Sequence, residues 1–147
     1  MEFKVSEIQN IPHSPGIYYF YDHDKLLYIG KSVNLRNRIR HHQIMNYWLI
    51  QHIEFITWHN IQSLLNNYNM FYRAWITIVD AQKIQLVFDK ITRIEIKLMP
   101  KDDLEIFEIT EIKKLKPLCN NGYAPDYINK IFQKIHETRL TELKNTI

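Results

Sequence analysis

Two short runs of strand-forming residues, 16–20 and 26–30, place the tightest limit on the fold of this chain. Both runs are rich in tyrosine, isoleucine and other large apolar residues, and the polar residues 22–25 separate them. Such runs around a short polar turn predict an antiparallel β-hairpin. Gly16 and Gly30, two of the three glycines in the chain, fall inside the predicted strands, which glycine weakens. Their position indicates a bulge, a tight turn or another group close to the backbone.

A basic helix is predicted directly after the hairpin. Apolar side chains recur at helical spacing over residues 35–53, and Ser32 or Asn34 can cap the first turn. Residues 31–42 contain four Lys or Arg residues, two histidines and no acidic residue. Exposed helices ordinarily mix acidic with basic side chains, so this pattern favours a helix that faces phosphate over an ordinary basic surface.

The remaining sequence predicts further strands and helices. In chain order these are a strand at 52–59, a short helix at 61–65, a strand at 71–80, a strand at 93–98 paired with 83–88, a helix at 101–116 and an amphipathic helix at about 125–145. The helix at 101–116 begins with a capping-box pattern, Asp102 followed by Glu105, and should end before Pro117.

One acidic residue of that helix lies among apolar residues. Projecting residues 101–116 at about 100° per residue places six apolar side chains on one wide arc, with Glu108 at its centre. Burying a carboxylate is costly unless it is hydrogen-bonded, paired with a cation or bound to a metal. Glu105 and Glu111 project near the same arc, so this geometry alone does not select among the three glutamates.

Composition limits the class of protein. The length of 147 residues and the 46% hydrophobic content suit one globular domain. A net charge of +3 means that attraction to nucleic acid must come from local clusters of basic residues. The single cysteine, Cys119, excludes an internal disulfide. We find no signal-peptide pattern and no apolar run of about 20 residues, so we expect a soluble, cytoplasmic protein without membrane contact.

Two motifs resemble the signatures of the GIY-YIG nuclease superfamily, which includes the N-terminal domain of the UvrC repair subunit and some homing and restriction endonucleases. The first motif combines GIY at residues 16–18, YIG at 28–30, Lys31 and the run NLRNR at 34–38. The second is EITEIKKLKPLCN, in which alignment on Pro117 and Asn120 places the signature glutamate at Glu108. The resemblance covers most of residues 16–120.

This resemblance implies an α+β fold, with a small central antiparallel or mixed sheet flanked by helices. We expect a single domain over residues 1–147, with a core at about 12–123. An inserted region at about 43–99 would separate the two signatures, and a C-terminal amphipathic helix would span about 125–145. Gly16 and Gly30 would have structural roles in the hairpin.

The resemblance also implies metal-dependent hydrolysis of phosphodiester bonds. The implied catalytic residues are Tyr18, Tyr28, Lys31, Arg38, Glu108 and Asn120. Glu108 would hold one Mg²⁺ or Mn²⁺, Arg38 would contact the scissile phosphate, and the Asn120 amide would position a metal-bound or phosphate group. Either tyrosine could act on the attacking water, with Lys31 lowering its pKa. The residues expected to contact nucleic acid are Arg36, Arg40, His41, His42 and Lys113.

The pairing register of the hairpin follows from these roles. Because side chains alternate across a strand, Tyr18 and Tyr28 can face one site only if the register is even. We therefore expect Tyr18 opposite Tyr28 and Gly16 opposite Gly30, with a three-residue loop at residues 22–24. A two-residue turn would separate the tyrosines unless a bulge corrects the register. The helix that carries the glutamate should then cover the tyrosine face of the hairpin.

The sequence favours a metal-dependent endonuclease with nucleic acid, expected to be DNA, as its substrate. DNA repair, restriction and mobile-element functions stay open within that class. Specificity could come from a homodimer or a protein partner. The alternative is a catalytically inactive nucleic-acid-binding module with the same fold.

Overall fold

Four strands form one antiparallel sheet in a computed structural model that describes residues 1–58 and 83–120. The strands are β1 (Glu2–Phe3), β2 (Gly16–Asp22), β3 (Lys25–Ser32) and β4 (Arg93–Leu98), in the spatial order β1-β4-β2-β3. The helices are α1 (Leu35–Trp58), α2 (Lys83–Val87) and α3 (Leu104–Leu115). Short 3₁₀ turns span Val5–Asn10, Phe88–Lys90 and Lys101–Asp103. The predicted α+β class is confirmed.

The predicted hairpin forms, but its predicted loop and pairing are wrong. His23, with a φ of 53°, and Asp24 make a two-residue turn in place of the expected three-residue loop. The register then shifts, because Leu27 is an extra residue between the Tyr21–Leu26 and Phe20–Tyr28 pairs.

This bulge gives the hairpin the even register that the two tyrosines need. Tyr18 lies opposite Gly30 and diagonal to Tyr28, and Gly16 lies opposite Ser32. The rings of Tyr18 and Tyr28 are 6.1 Å apart between centroids, on the same face of the sheet. The expected neighbourhood of the two tyrosines therefore forms through a different pairing.

Gly30 leaves the space in which the Tyr18 ring lies. A Cβ atom at residue 30 would be 2.2 Å from Cζ of Tyr18 and 2.3 Å from its hydroxyl oxygen. Gly16 is equally confined, because a Cβ there would be 2.5 Å from the carbonyl oxygen of Lys97 and 2.7 Å from Cδ1 of Leu35. Close approach of other groups is thus the reason for both glycines.

Gly30→Ala is expected to lower the free energy of unfolding by about 1–3 kcal/mol, the usual cost of overpacking a buried site. Urea unfolding measures the loss. In the double variant Gly30→Ala/Tyr18→Leu the ring is gone, so the combined loss should be smaller than the sum of the two single losses. Wild-type stability of Gly30→Ala would contradict the crowding seen at this position.

The sheet separates two apolar clusters. Tyr18 and Phe20 pack with α1, α2 and the Val5–Asn10 turn, while Ile17 and Tyr19 face the other side. There they meet Leu104 of α3 together with the partly buried Phe107 and Ile112. α3 thus covers the face opposite the Tyr18 and Tyr28 rings, which corrects the expectation that it covers the tyrosine face.

α1 begins as predicted and ends later than predicted. The side chain of Asn34 caps it by accepting a hydrogen bond from the backbone N–H of Asn37 at 3.2 Å. The helix continues to Trp58, so a strand at 52–58 is wrong, and α2 replaces the strand predicted at 83–88. In α2 the apolar residues Ile84 and Val87 pack on the core from a helix, which strand propensity alone does not reveal.

Several predicted features lie wholly or partly outside the residues that the structure describes. The strand at 71–80, the helix at 61–65 and the C-terminal helix at about 125–145 lie outside the described residues. Of the predicted inserted region, 43–58 belongs to α1, and β4 lies between β1 and β2 in the sheet. These parts of 43–99 belong to α1 and to the central sheet and are not an insertion between them. The predicted limits of the domain stay a prediction.

α3 confirms its predicted end and corrects its predicted start. It stops at Leu115, with Lys116 in the left-handed conformation before Pro117. Asp103, without a side-chain cap bond, occupies the N-cap position, because the 3₁₀ turn takes up residues 101–103. The buried stripe is also narrower than predicted, since Ile106 is 74% exposed.

Candidate nuclease site

The outer edge of β3 is covered by the segment that follows α3. β3 lies at one end of the sheet, so one row of its backbone groups has no strand partner within the described sheet. The backbone N–H of Cys119 donates to the carbonyl oxygen of Leu27 at 2.7 Å, and that of Leu118 to Leu26 at 3.3 Å. This edge brings residues from both signatures together.

Asn120 continues this contact with its side chain. Its Oδ1 accepts from the backbone N–H of Ile29 at 2.8 Å, and its Nδ2 donates to the carbonyl oxygen of Ile29 at 2.9 Å. Both ends of the amide thus bind the backbone between Tyr28 and Gly30. In this arrangement Asn120 holds β3 in place, and its expected role toward a metal or a phosphate stays a prediction.

Tyr18, Tyr28 and His42 form a cluster between the hairpin and α1. The hydroxyl oxygen of Tyr18 lies 2.8 Å from Nε2 of His42, a hydrogen bond within the buried interior. The ring centroid of His42 is 5.7 Å from that of Tyr18 and 5.8 Å from that of Tyr28. Exposure falls inward along this cluster, from the partly exposed Tyr28 to Tyr18 at 1% and His42 at 0%.

Both phenols are held neutral. Burial raises the pKa of Tyr18, with a further rise from Tyr28, while a hydrogen bond and the positive charge of Arg38 oppose it. Burial likewise raises the pKa of Tyr28 against the charge of Arg38. The expectation that Lys31 lowers a tyrosine pKa is therefore wrong, because burial dominates and Arg38 is the main opposing cation.

The burial of His42 corrects its predicted contact with nucleic acid. Burial, Arg38 and His41 together lower the pKa of His42 to about 3, so its imidazole is neutral. Its Nδ1 is buried without a hydrogen-bond partner among the described residues. Position 42 continues the helical stripe of Leu35, Ile39 and Leu49, which are all buried. This spacing is the feature of the sequence that indicates burial of His42.

Lys31 and Glu108 meet on the α3 side of the same strand edge. Nζ of Lys31 lies 4.0 Å from Oε1 of Glu108, whose side chain is 18% exposed. Burial raises the pKa of Glu108, while the Lys31 ammonium and a backbone hydrogen bond from Lys31 oppose the rise. The charge of Glu108 in turn raises the pKa of Tyr18 and Tyr28, so the two halves of the site act on each other electrostatically.

The structure distinguishes the three glutamates that the sequence left equivalent. Glu111 accepts a hydrogen bond from the Tyr19 hydroxyl at 3.2 Å, and Glu105 is exposed. Glu108 alone of the three reaches the Lys31 ammonium within 4.0 Å. A partly exposed carboxylate beside a displaceable ammonium fits a hard cation such as Mg²⁺, which binds one or two carboxylates and keeps several waters. Within residues 1–58 and 83–120, no group of three or more His, Cys, Asp or Glu side chains could hold a metal.

Glu108→Gln is expected to be more stable than the wild type at about pH 8 in EDTA. Because the folded pKa is raised, the stability from this carboxyl is fully present below its unfolded pKa and is lost as pH rises through the folded pKa. The gain in Tm should therefore shrink at about pH 3.5, below the usual glutamate pKa of about 4.3. Thermal unfolding at both pH values measures it, and an equal difference at both would contradict the burial effect.

The predicted nucleic-acid contacts occupy different environments. Nε of Arg36 donates to the carbonyl oxygen of Ile11 at 2.6 Å, so this half-buried guanidinium also ties α1 to the N-terminal segment. Arg40 and His41 are exposed on α1, and Lys113 is exposed near the end of α3. These three side chains are accessible to a ligand.

Comparisons with known proteins agree on one family. Residues 14–70 match the family model described as the UvrC-like GIY-YIG domain. The protein named UvrABC system protein C from Helicobacter pylori is 32% identical over 118 residues, which cover 79% of this chain and 16% of that protein. The protein of the same name from Helicobacter hepaticus is 31% identical over 115 residues, or 77% of this chain and 15% of its own length.

A solved structure is also similar. The magnesium-bound GIY-YIG N-terminal endonuclease domain of UvrC from Thermotoga maritima aligns with 20% identity and a TM-score of 0.45, covering 76% of this chain and 89% of that domain. The chain spans about one sixth of the length of these curated relatives. No helix within residues 1–58 and 83–120 combines the length and apolar character that crossing a membrane requires. Residues 14–70, which include the first of the two signatures, are therefore those of a UvrC-like GIY-YIG domain.

Proposed function

We propose that this chain is a metal-dependent endonuclease that hydrolyses phosphodiester bonds in DNA. The observation that carries the proposal is the meeting of two clusters at the edge of β3. A tyrosine pair with a neutral histidine lies on one side, and the Lys31–Glu108 pair lies on the other. Such a site offers a proton path, cations for a phosphate and a carboxylate for a metal, which are the needs of this reaction.

Glu108 is the residue that would hold Mg²⁺, or Mn²⁺ in its place. When bound, the cation supplies positive charge at the phosphate and lowers the pKa of a coordinated water. Arg38, which acts electrostatically on both phenols, would bind the scissile phosphate, whose oxygens suit the fork of guanidinium donors. Lys31 places a second positive charge beside the carboxylate.

The tyrosines and His42 would carry the proton from the attacking water inward. Tyr28, the more exposed phenol, accepts that proton on its oxygen and passes its own to Tyr18. Tyr18 in turn gives its proton to Nε2 of His42, which lies 2.8 Å away. The phenols end neutral and the imidazole ends protonated. Each phenol therefore works in its neutral form, as the raised pKa of both requires.

Phosphate binding would prepare His42 to accept the proton. The positive charge of Arg38 contributes to the lowered pKa of His42, about 3 in the free protein. A phosphate anion bound to Arg38 offsets that charge and raises the pKa of His42. The base would thus become competent when substrate arrives.

The test is a cleavage assay with the purified chain. Labelled single-stranded, duplex and branched DNA and an RNA are each incubated with Mg²⁺ or with EDTA. We expect cleavage of DNA with Mg²⁺ and none with EDTA. Cleavage in EDTA would overturn the metal role, and cleavage of RNA alone would overturn the substrate. Binding of every substrate without cleavage would favour the inactive binding module.

Specificity is proposed to come from a second copy or a protein partner. The matched relatives are named as parts of a UvrABC system, and this chain matches only about one sixth of their length. A nicked product from a monomer, or a double-strand break from a dimer, would be distinguished by sizing the protein and the products together.

A further inference from the structure

A cleft opens beside the Lys31–Glu108 pair, and apart from Lys31 its lining residues have no role in the chemistry proposed above. One wall is the connection from β3 to α1, and the other is the start of α3. The lining residues are Lys31, Ser32, Val33, Lys101, Leu104 and Glu105. The cleft therefore leads away from the carboxylate along the surface of the protein.

The lining suits a sugar-phosphate backbone. Lys31 and Lys101 are both exposed and place an ammonium group on each wall. Val33, 56% exposed, and the buried Leu104 supply apolar surface between the charges. Phosphates attract ammonium groups, and sugars pack on apolar side chains, so an alternating lining fits one strand of nucleic acid. Glu105 is the single anion among the described lining residues and should repel the strand.

We propose that this cleft binds the phosphates next to the scissile one, with Lys101 as a direct phosphate contact. The inference rests on the proposed nuclease function and adds the path of the strand. Lys101 begins the 3₁₀ turn before α3, seven residues and roughly 10 Å ahead of Glu108. Lys101 would therefore contact a phosphate that neighbours the scissile one.

Two variants test this path of the strand, one that removes a positive charge from the cleft and one that removes a negative charge. Lys101→Ala, Glu105→Gln and a control, Lys25→Ala, are compared with the wild type. Lys25 is also exposed but lies at the other end of β3, roughly 20 Å from Lys31. Affinity for a short labelled DNA is measured by fluorescence anisotropy in EDTA between about 50 and 200 mM salt. EDTA separates binding from metal-dependent cleavage.

Lys101→Ala is expected to raise the Kd about threefold to tenfold and to reduce the salt slope by about one. Glu105→Gln should lower the Kd, and Lys25→Ala should change neither quantity.

Two results overturn the inference while leaving the nuclease function intact. One is a salt slope for Lys101→Ala equal to that of Lys25→Ala, and the other is weaker binding by Glu105→Gln. A wild-type chain that neither binds nor cuts any substrate overturns the proposed function itself. Circular dichroism of each variant verifies that these surface substitutions leave the fold unchanged.

Discussion

Glu108→Gln is expected to reduce DNA cleavage at saturating substrate by at least about 10³-fold, the scale on which loss of a transition-state charge contact acts. Glutamine keeps the shape of the side chain and one oxygen, but it loses the negative charge that attracts a divalent cation. The affinity for DNA in EDTA should be unchanged or slightly higher, because an anion has left the site.

Glu111→Gln is the matched control for this variant. Glu111 lies on the same helix, one turn away, and accepts a hydrogen bond from Tyr19 in place of a contact with Lys31. Its cleavage rate should stay within a few-fold of the wild type. Calorimetric titration with Mg²⁺ gives a readout independent of turnover, in which Glu108→Gln should lose the binding heat that Glu111→Gln keeps. Equal Mg²⁺ affinity in both variants would rule out Glu108 as the ligand.

Tyr18→Phe is expected to lower the cleavage rate by about 10²- to 10⁴-fold, the range of general acid–base contributions. The ring stays over Gly30, so packing is preserved, while the hydroxyl between Tyr28 and His42 is lost. The buried Nε2 of His42 is then left without this partner, which should lower the free energy of unfolding by about 1–3 kcal/mol.

A double-mutant cycle separates the proton path from a general loss of structure. If Tyr18 passes its proton to His42, then His42→Leu should cost as much rate as Tyr18→Phe, and the double variant should cost little more than either alone. Independent, multiplying losses would show that the two residues do not act as one path. A wild-type rate in His42→Leu would exclude the histidine as the final proton acceptor.

Local pattern predicted the hairpin, the start of α1, β4 and the end of α3, because each depends on residues close in sequence. Strand-forming runs predicted β2 and β3, and Asn34 caps α1 as expected. The strand predicted at 52–59 was wrong over 52–58, which continue α1. The strand predicted at 83–88 was wrong because Ile84 and Val87 pack on the core from a helix. Apolar runs of this length do not distinguish a strand from a buried helix.

The motifs did not predict how the candidate site residues are arranged. The motifs named Glu108, and the structure places it beside Lys31, but on the face of the sheet away from the tyrosine rings. Asn120 showed no sign in the sequence of binding the backbone of Ile29. Such contacts join residues about ninety positions apart, so local spacing does not encode them. The burial of His42 was predictable, since position 42 continues the apolar stripe of α1.

The bulge at Leu27 has a consequence for comparing related sequences. Tyr18 and Tyr28 are ten positions apart, yet a two-residue turn alone would put them on opposite faces. Loss of one residue other than Leu27, with the turn and the bulge kept, would preserve every letter of both motifs while moving the second tyrosine to the other face of the sheet, away from His42. The count of residues between the tripeptides, taken together with the turn and any bulge, is therefore a stricter criterion for an intact site than the motif letters.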